Sequence, residues 1–227
     1  MTTNILPCNM PQAEVRQLVR NRVTETVSAL DNKIGPRNTA IEDATNPHWL
    51  IYAALGFNES ESFAIDAYQS VGRFLWRQVG NLMEYAAVCC FQDAFENIIS
   101  PHHVPNPVSG ERPVRFEIDI LNGNCAIEVK WRDATTDGDH VNKEHRRLNA
   151  VSSAGFTPIR IMFFEPLWPQ AIRIQNRIRE AYTEQEGEYH SGLAAWNYVR
   201  EQTGIDLGAI FEEIATDNRR EWGENEQ

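Results

Sequence analysis

Asp119, Glu128 and Lys130 have the types and the spacing to do chemistry together. They stand in residues 114–132, Val-Arg-Phe-Glu-Ile-Asp-Ile-Leu-Asn-Gly-Asn-Cys-Ala-Ile-Glu-Val-Lys-Trp-Arg. With Glu117 they make three carboxylates and a lysine on what reads as one strand pair. Like charges facing each other across such a pair cost roughly 0.2–1 kcal/mol per pair. A divalent cation reverses that sign. Mg²⁺ takes a few carboxylate oxygens together with water and substrate phosphate, and a lysine beside it can hold a water or a phosphate oxygen. The implied chemistry is metal-assisted hydrolysis. The plainer alternative is an amphipathic hairpin with one solvated acidic face.

The elements that must position these residues are legible in the same stretch. Two alternating runs flank Asn122-Gly123-Asn124, a strong hairpin signal. Phe116, Ile118 and Ile120 share one face of the first run, and Glu117 and Asp119 the other. Ile127 and Val129 share a face of the second, and Glu128 and Lys130 the opposite one. A two-residue loop at Asn122-Gly123 or at Gly123-Asn124 puts all four charged residues on one face. A three-residue loop without a bulge would set isoleucines beside carboxylates, which the apolar pattern opposes.

Elsewhere the chain reads mainly as helices. A helix is expected over 11–30, broken at Gly35-Pro36-Arg37-Asn38, then a short helix or packed loop over 47–57. Residues 60–99 are helical in pattern, with Gly72 and Gly80 as possible breaks. Residues 101–113, with four prolines and His102-His103, read as a loop. A helix over 139–153 follows the hairpin, with Thr136, Asp137 or Asp139 available to cap it and Gly155 to end it. Residues 157–164 are almost continuously apolar, as in a strand buried on both faces. Helices over 169–182, 191–202 and 206–219 complete the chain.

Composition fits a soluble globular protein: 227 residues, 42% hydrophobic, with six tryptophans. The longest apolar stretch, 85–91, is far too short to span a bilayer. The N-terminus lacks a signal peptide's basic region and apolar core. Cys8, Cys89, Cys90 and Cys125 show no zinc spacing, and Cys89-Cys90 read as small core residues. The expected compartment is the reducing cytoplasm, with no membrane partner. The histidines are not at ligand spacing, and no Walker loop, G-x-S-x-G or G-x-G-x-x-G occurs.

The net charge of −11 runs against a whole-protein basic footprint for nucleic acid. Its distribution is uneven. From Glu184 onward there are eleven acidic residues against three basic ones, whereas from Lys130 to Arg160 there are six basic and four acidic.

Asp119, eight intervening residues, then Glu128-Val129-Lys130 resembles the Asp…Glu-x-Lys signature of the PD-(D/E)xK nuclease superfamily. Ile118 stands where the superfamily's name has proline, a position that varies widely among its members. Further on, Glu128-Val-Lys-Trp-Arg-Asp-Ala-Thr-Thr-Asp-Gly-Asp-His140, Lys143-Glu-His-Arg-Arg147 and Pro158-Ile-Arg-Ile-Met-Phe-Phe164 resemble the ApaLI-like type II restriction endonucleases. The likeness covers about residues 75–215.

The resemblance implies an α/β fold with a restriction-endonuclease-like core, a central mixed sheet flanked by helices, and additional N- and C-terminal helices. It implies one nuclease domain over 1–227: a helical arm over 1–75, a catalytic core over 76–170 and C-terminal helices over 171–227. Asp119 and Glu128 would ligate Mg²⁺, and Lys130 would position or activate the attacking water. Glu84, on the helix before the sheet, would point into the metal site as a glutamate does in many relatives. The substrate would be double-stranded DNA, cut by a homodimer at a palindrome, GTGCAC, to leave 5′-phosphate ends. Arg132, Asp133, Thr136, His140, Asn142, Lys143 and Arg146 have side chains suited to base edges or phosphates. The other readings are a repair or junction-resolving nuclease of the same superfamily, and a non-catalytic DNA-binding or interaction protein with a solvated acidic hairpin.

Overall fold

Residues 126–129 and 158–162 are buried on both faces of their strands, which only interior strands of a covered sheet can be. The computed structural model describes residues 12–42, 49–132 and 139–224. In chain order these form α1 (Gln12–Glu42), α2 (Trp49–Ala54), α3 (Glu59–Ala94), β1 (His102–Pro105), β2 (Arg115–Ile118), β3 (Ile120–Asn122) and β4 (Cys125–Lys130). Then follow α4 (Asp139–Ser153), β5 (Thr157–Met162), α5 (Pro169–Glu184), β6 (Glu188–Ser191), α6 (Leu193–Thr203) and α7 (Leu207–Glu224). By compactness the chain divides into residues 21–82 and a larger unit of 1–20 with 83–227. No helix among the described residues is long and apolar enough to cross a membrane.

The larger unit is the mixed α/β arrangement expected from the sequence. Its four-stranded sheet has the order β3-β4-β5-β6, with β3 antiparallel to β4 and the other pairs parallel. Ile127, Val129, Ile159 and Ile161 fill one face of the two middle strands, all at most 3% exposed. Residues of opposite parity face α4 and α5. There Ala126 packs with Ala150 and Val151, and Leu148 with Ile174, Ile178 and Tyr182. Burial of such side chains stabilises by about 25 cal/mol per Å² of apolar surface, so this double-sided core anchors β4 firmly.

The hairpin loop is Gly123-Asn124, one of the two frames the sequence allows, closed by the pair Asn122–Cys125. Gly123 has φ +56° at the first central position, which a glycine takes without the steric cost a Cβ brings. The first run, however, is not one strand. β2 turns away to pair with β1 in a separate two-stranded sheet, and only β3 continues beside β4. The break falls at Asp119. Its Oδ2 accepts the Val129 N–H at 2.7 Å, where an unbroken ladder would present a backbone carbonyl. Residues 102–105, expected as loop, are therefore β1, because the departing β2 offers them a strand edge. β6 was also not evident in sequence. Gly187 opens it at a point where a Cβ would lie 2.4 Å from the Pro158 carbonyl oxygen, so only glycine lets the chain pass.

In residues 21–82 the expected break at Gly35-Pro36 does not occur, and Pro36 lies inside α1. Gly35 has no Cβ to clash with the proline ring, which relieves the usual restriction before proline. Beyond the proline, Arg37 lies over the Phe74 ring at 4.6 Å and ties the last turns of α1 to α3. Gly72 and Gly80 likewise leave α3 unbroken. Its start is a capping box in which Glu61 N–H donates to Asn58 Oδ1 and Asn58 N–H donates to Glu61 Oε2.

The Asp119 contact gives a direct test of the strand break. Asp119→Ala should lose about 1–3 kcal/mol in chemical denaturation with EDTA present, because the Val129 N–H is left buried without an acceptor. Asp119→Asn keeps an oxygen there and should lose clearly less. Equal losses would show that this hydrogen bond does not hold the break.

Candidate active site

Four elements bring the candidate residues together. Glu128 and Lys130 share the α4-facing side of β4, Asp119 sits between β2 and β3, and Glu84 comes from α3. Lys130 Nζ is 3.9 Å from Asp119 Oδ2, forms an ion pair with Glu128 Oε1, and donates to the Val129 carbonyl at 3.0 Å. Asp119 and Glu128 are only 7% and 3% exposed. The hairpin thus shows no solvated acidic face, and the plainer reading of the pattern fails at these two residues. Glu117 differs: its side chain is 59% exposed and pairs with His103 Nε2 at 3.3 Å.

A carboxylate is buried at a cost of several kcal/mol unless its charge is met. Here it is met by cations from two elements. Arg147, on α4, pairs with the same Glu128 oxygen as Lys130. Glu128 Oε2 remains buried without a hydrogen-bond partner. That orphaned acceptor, on a strand anchored by the core, is the donor a divalent cation takes, so the residues present fit such an ion. Among the described residues no three His, Cys, Asp or Glu side chains form a ready ligand cluster. Two carboxylates with water and phosphate nevertheless suffice for Mg²⁺.

Glu84 belongs to the same electrostatic cluster. Burial and then the charge of Asp119 push its carboxyl up to about 6, with Glu117 adding to the rise and Lys130 opposing it. A second buried network lies beside the first. Arg160 is the register partner of Glu128 on β5, so both project to the α4 side. Glu144 Oε1 accepts from Arg160 Nη1 at 3.0 Å and from the Tyr182 hydroxyl at 2.8 Å. Burial opposes the Arg160 charge, yet Glu144 holds its pKa above the ordinary guanidinium value. Burial and then Glu144 push the Tyr182 hydroxyl well up.

Glu144, Arg147, Leu148 and Val151 occupy one face of α4 at helical spacing. That spacing divides the residues expected to touch DNA. Asn142 and Lys143 are exposed on the other side of α4, and Arg146 is half-buried, donating to the Arg112 carbonyl at 3.3 Å. Arg132 is half-buried, with its guanidinium 5.4 Å from the Trp131 ring. His140 lies in the first turn of α4, and Asp133 and Thr136 lie outside the described residues. Arg147, Glu144 and Arg160 were not singled out from the sequence. Arg160 carried a usable signal, as the lone charge in the apolar run 157–164. A charge on a strand buried on both faces must find a partner.

The raised Glu84 carboxyl has a pH consequence. Ionised Glu84 opposes folding once the pH passes from the unfolded value near 4.5 through the folded value of about 6, and the cost is complete above it. Glu84→Gln should therefore stabilise the metal-free protein at pH 8 by about 1 kcal/mol, after discounting for solvent screening of a half-buried group. The gain should vanish below pH 4.5. Thermal melts in EDTA across this range check it, and a pH-independent difference would exclude the electrostatic cause.

A family model described as ApaLI-like restriction endonuclease matches residues 10–216. No curated protein and no solved structure matches the chain. The matched span contains all of the site just described and extends through both compact units. The chain belongs to the ApaLI-like restriction endonuclease family.

Proposed function

We propose that this protein is a Mg²⁺-dependent type II restriction endonuclease that hydrolyses double-stranded DNA at a short palindrome, leaving 5′-phosphate and 3′-hydroxyl ends. The observation that carries the reading is the buried pair Asp119 and Glu128 beside Lys130, with Glu128 Oε2 lacking a partner. Asp119 and Glu128 would hold the cation, which when bound polarises a phosphoryl oxygen, acidifies a water and stabilises the departing 3′ oxygen. Lys130 Nζ is steadied by the Val129 carbonyl and the two carboxylates, where its protons can orient the attacking water and offset charge on the phosphoryl oxygens. Glu84 adds a carboxylate to the same cluster, ionised at pH 8 and able to accept a proton from that water.

A palindromic site is matched by a two-fold protein that presents one reading surface to each half-site, so the active form would be a homodimer. GTGCAC is the site the resemblance implies. The exposed face of α4, with Asn142 and Lys143, and the neighbouring Arg132 and Arg146 would supply contacts to base edges and phosphates.

Plasmid digestion tests the reading. Mg²⁺ or Mn²⁺ should give discrete fragments and EDTA none, while Ca²⁺ should support binding without cutting. Asp119→Asn and Lys130→Ala should each lower the cleavage rate by at least about 100-fold. Robust hydrolysis in EDTA would rule out the metal site.

Sequence reading has its own measurement, duplex binding in Ca²⁺ at two salt concentrations. Removing a side chain that contacts a base edge, tested with Arg132→Ala and Lys143→Ala, should cost about 1–3 kcal/mol on cognate DNA and less on scrambled DNA. Equal losses on both, with a shallower salt slope, would assign these residues to phosphates.

A further inference from the structure

Glu128 is the acidic ion-pair partner of Arg147. The guanidinium and Lys130 Nζ both engage Oε1, and Oε2 is left without a partner. Asp119 and Glu128 carry two negative charges; Lys130 and Arg147 return two positive ones. Even with Glu84 ionised, a divalent cation added to these four charges leaves a net positive charge in a largely buried space, which low dielectric makes unfavourable. The Glu128 side chain is 4% exposed, but that of Arg147 is 26% exposed. Its Nη1 is buried against Glu128, so an anion would reach the arginine through the rest of the guanidinium while that contact stands. A phosphodiester is such an anion, and a guanidinium binds it in a two-pronged geometry.

We propose that Arg147 is a resident counter-ion that competes with the divalent cation for Glu128 and yields it when a DNA phosphate offers the guanidinium another anion. The proposal rests on the metal-dependent nuclease reading and adds a coupling to it. Metal-free protein keeps its buried carboxylates neutralised, cation affinity without DNA stays low, and DNA raises it. By linkage the cation raises DNA affinity by the same factor.

The experiment is calorimetric titration of the full-length protein with Mn²⁺, without DNA and with a short cognate duplex in Ca²⁺. Wild type, Asp119→Asn, Arg147→Gln and Arg147→Lys are compared. Arg147→Gln should bind Mn²⁺ on the order of tenfold more tightly than wild type without DNA, because one adjacent positive charge is gone. Its Ca²⁺–DNA coupling should shrink correspondingly. Arg147→Lys keeps the charge and should stay within about twofold of wild type in DNA-free Mn²⁺ affinity. Melting of Arg147→Gln in EDTA should occur below wild type, with Mn²⁺ closing the gap.

Unchanged or weaker Mn²⁺ binding by Arg147→Gln would overturn the proposal and make Arg147 a support that shapes Glu128 for the metal. Should Arg147→Gln not fold, tight Mn²⁺ binding by Arg147→Lys would overturn it equally, and affinity near wild type would uphold it. Absence, in the free protein and with the duplex alike, of any Mn²⁺ binding by wild type that Asp119→Asn removes would instead overturn the nuclease reading, a result distinct from the others.

Discussion

A carboxylate on an interior strand has to be neutralised where it stands, and this constraint organises the larger unit. Glu128 is fixed on β4 by isoleucines and valines on the opposite face, so it cannot swing to water. Its counter-ions must come to it. Lys130 does so from two residues along the same strand face. Arg147 does so from α4, which requires that helix to cross the sheet with one face directed at β4. The same requirement recurs one strand away, where buried Arg160 on β5 takes Glu144 from the same helix face. Glu144 and Arg147 are three apart, the spacing that lets neighbouring strands of opposite charge each find a partner on one helix. Such pairs add little net stability over apolar packing, but breaking one leaves a buried charge unpaired. They fix the orientation of α4 more than they strengthen it.

Asp119 solves a different problem. A strand that continued straight past it would keep pairing with β4 and would place Glu117 and Asp119 on a flat sheet face. Leaving the ladder there strands the Val129 N–H, and the Asp119 carboxylate meets that donor at 2.7 Å. One residue thereby ends β2, completes the bonding of β4 and sets an oxygen beside Lys130. The cost is that the residue best placed for a metal also carries backbone structure. A variant that removes the carboxylate perturbs both, so loss of activity in an alanine variant alone would not separate a chemical role from a structural one.

The sequence carried much of this because the relevant patterns are local. Alternation in 114–130, the apolar run over 157–164 and the helical spacing in 139–153 each depend on neighbours close in sequence; β4, β5 and α4 appear at their expected places, while the first alternating run is split into β2 and β3. The Gly123-Asn124 loop was one of two frames left open. What was missed depends on distant partners. β1 pairs with β2 where β2 leaves the main sheet, and that departure coincides with the Asp119–Val129 contact, which alternation cannot reveal. The cost of Pro36 is local and predicts a break at Gly35-Pro36-Arg37-Asn38, whereas packing of Arg37 over Phe74 comes from elsewhere in the chain. Arg147 ends the motif Lys143-Glu-His-Arg-Arg147, yet only the orientation of α4 separates it from Arg146, its neighbour facing another way.

The net charge of −11 is not all presented as bare acid. Part of the acid near the C-terminus works within the unit. Glu213 and Asp217 on α7 pair with Arg16 and Arg20 on α1 at 2.8–3.3 Å. These pairs are partly exposed and individually weak, but they reduce what solvent and DNA meet as bare negative charge. The remaining excess repels DNA at long range, and physiological salt screens it beyond about 8 Å. Attraction must then be short-range. On the proposed reading it comes from Arg132, Lys143 and Arg146 at the surface and from a divalent cation held by the buried carboxylates. A nuclease built this way gains little from electrostatic steering. On the proposed reading its grip on DNA would follow whether the cation site is filled, which would tie recognition to the chemistry that follows.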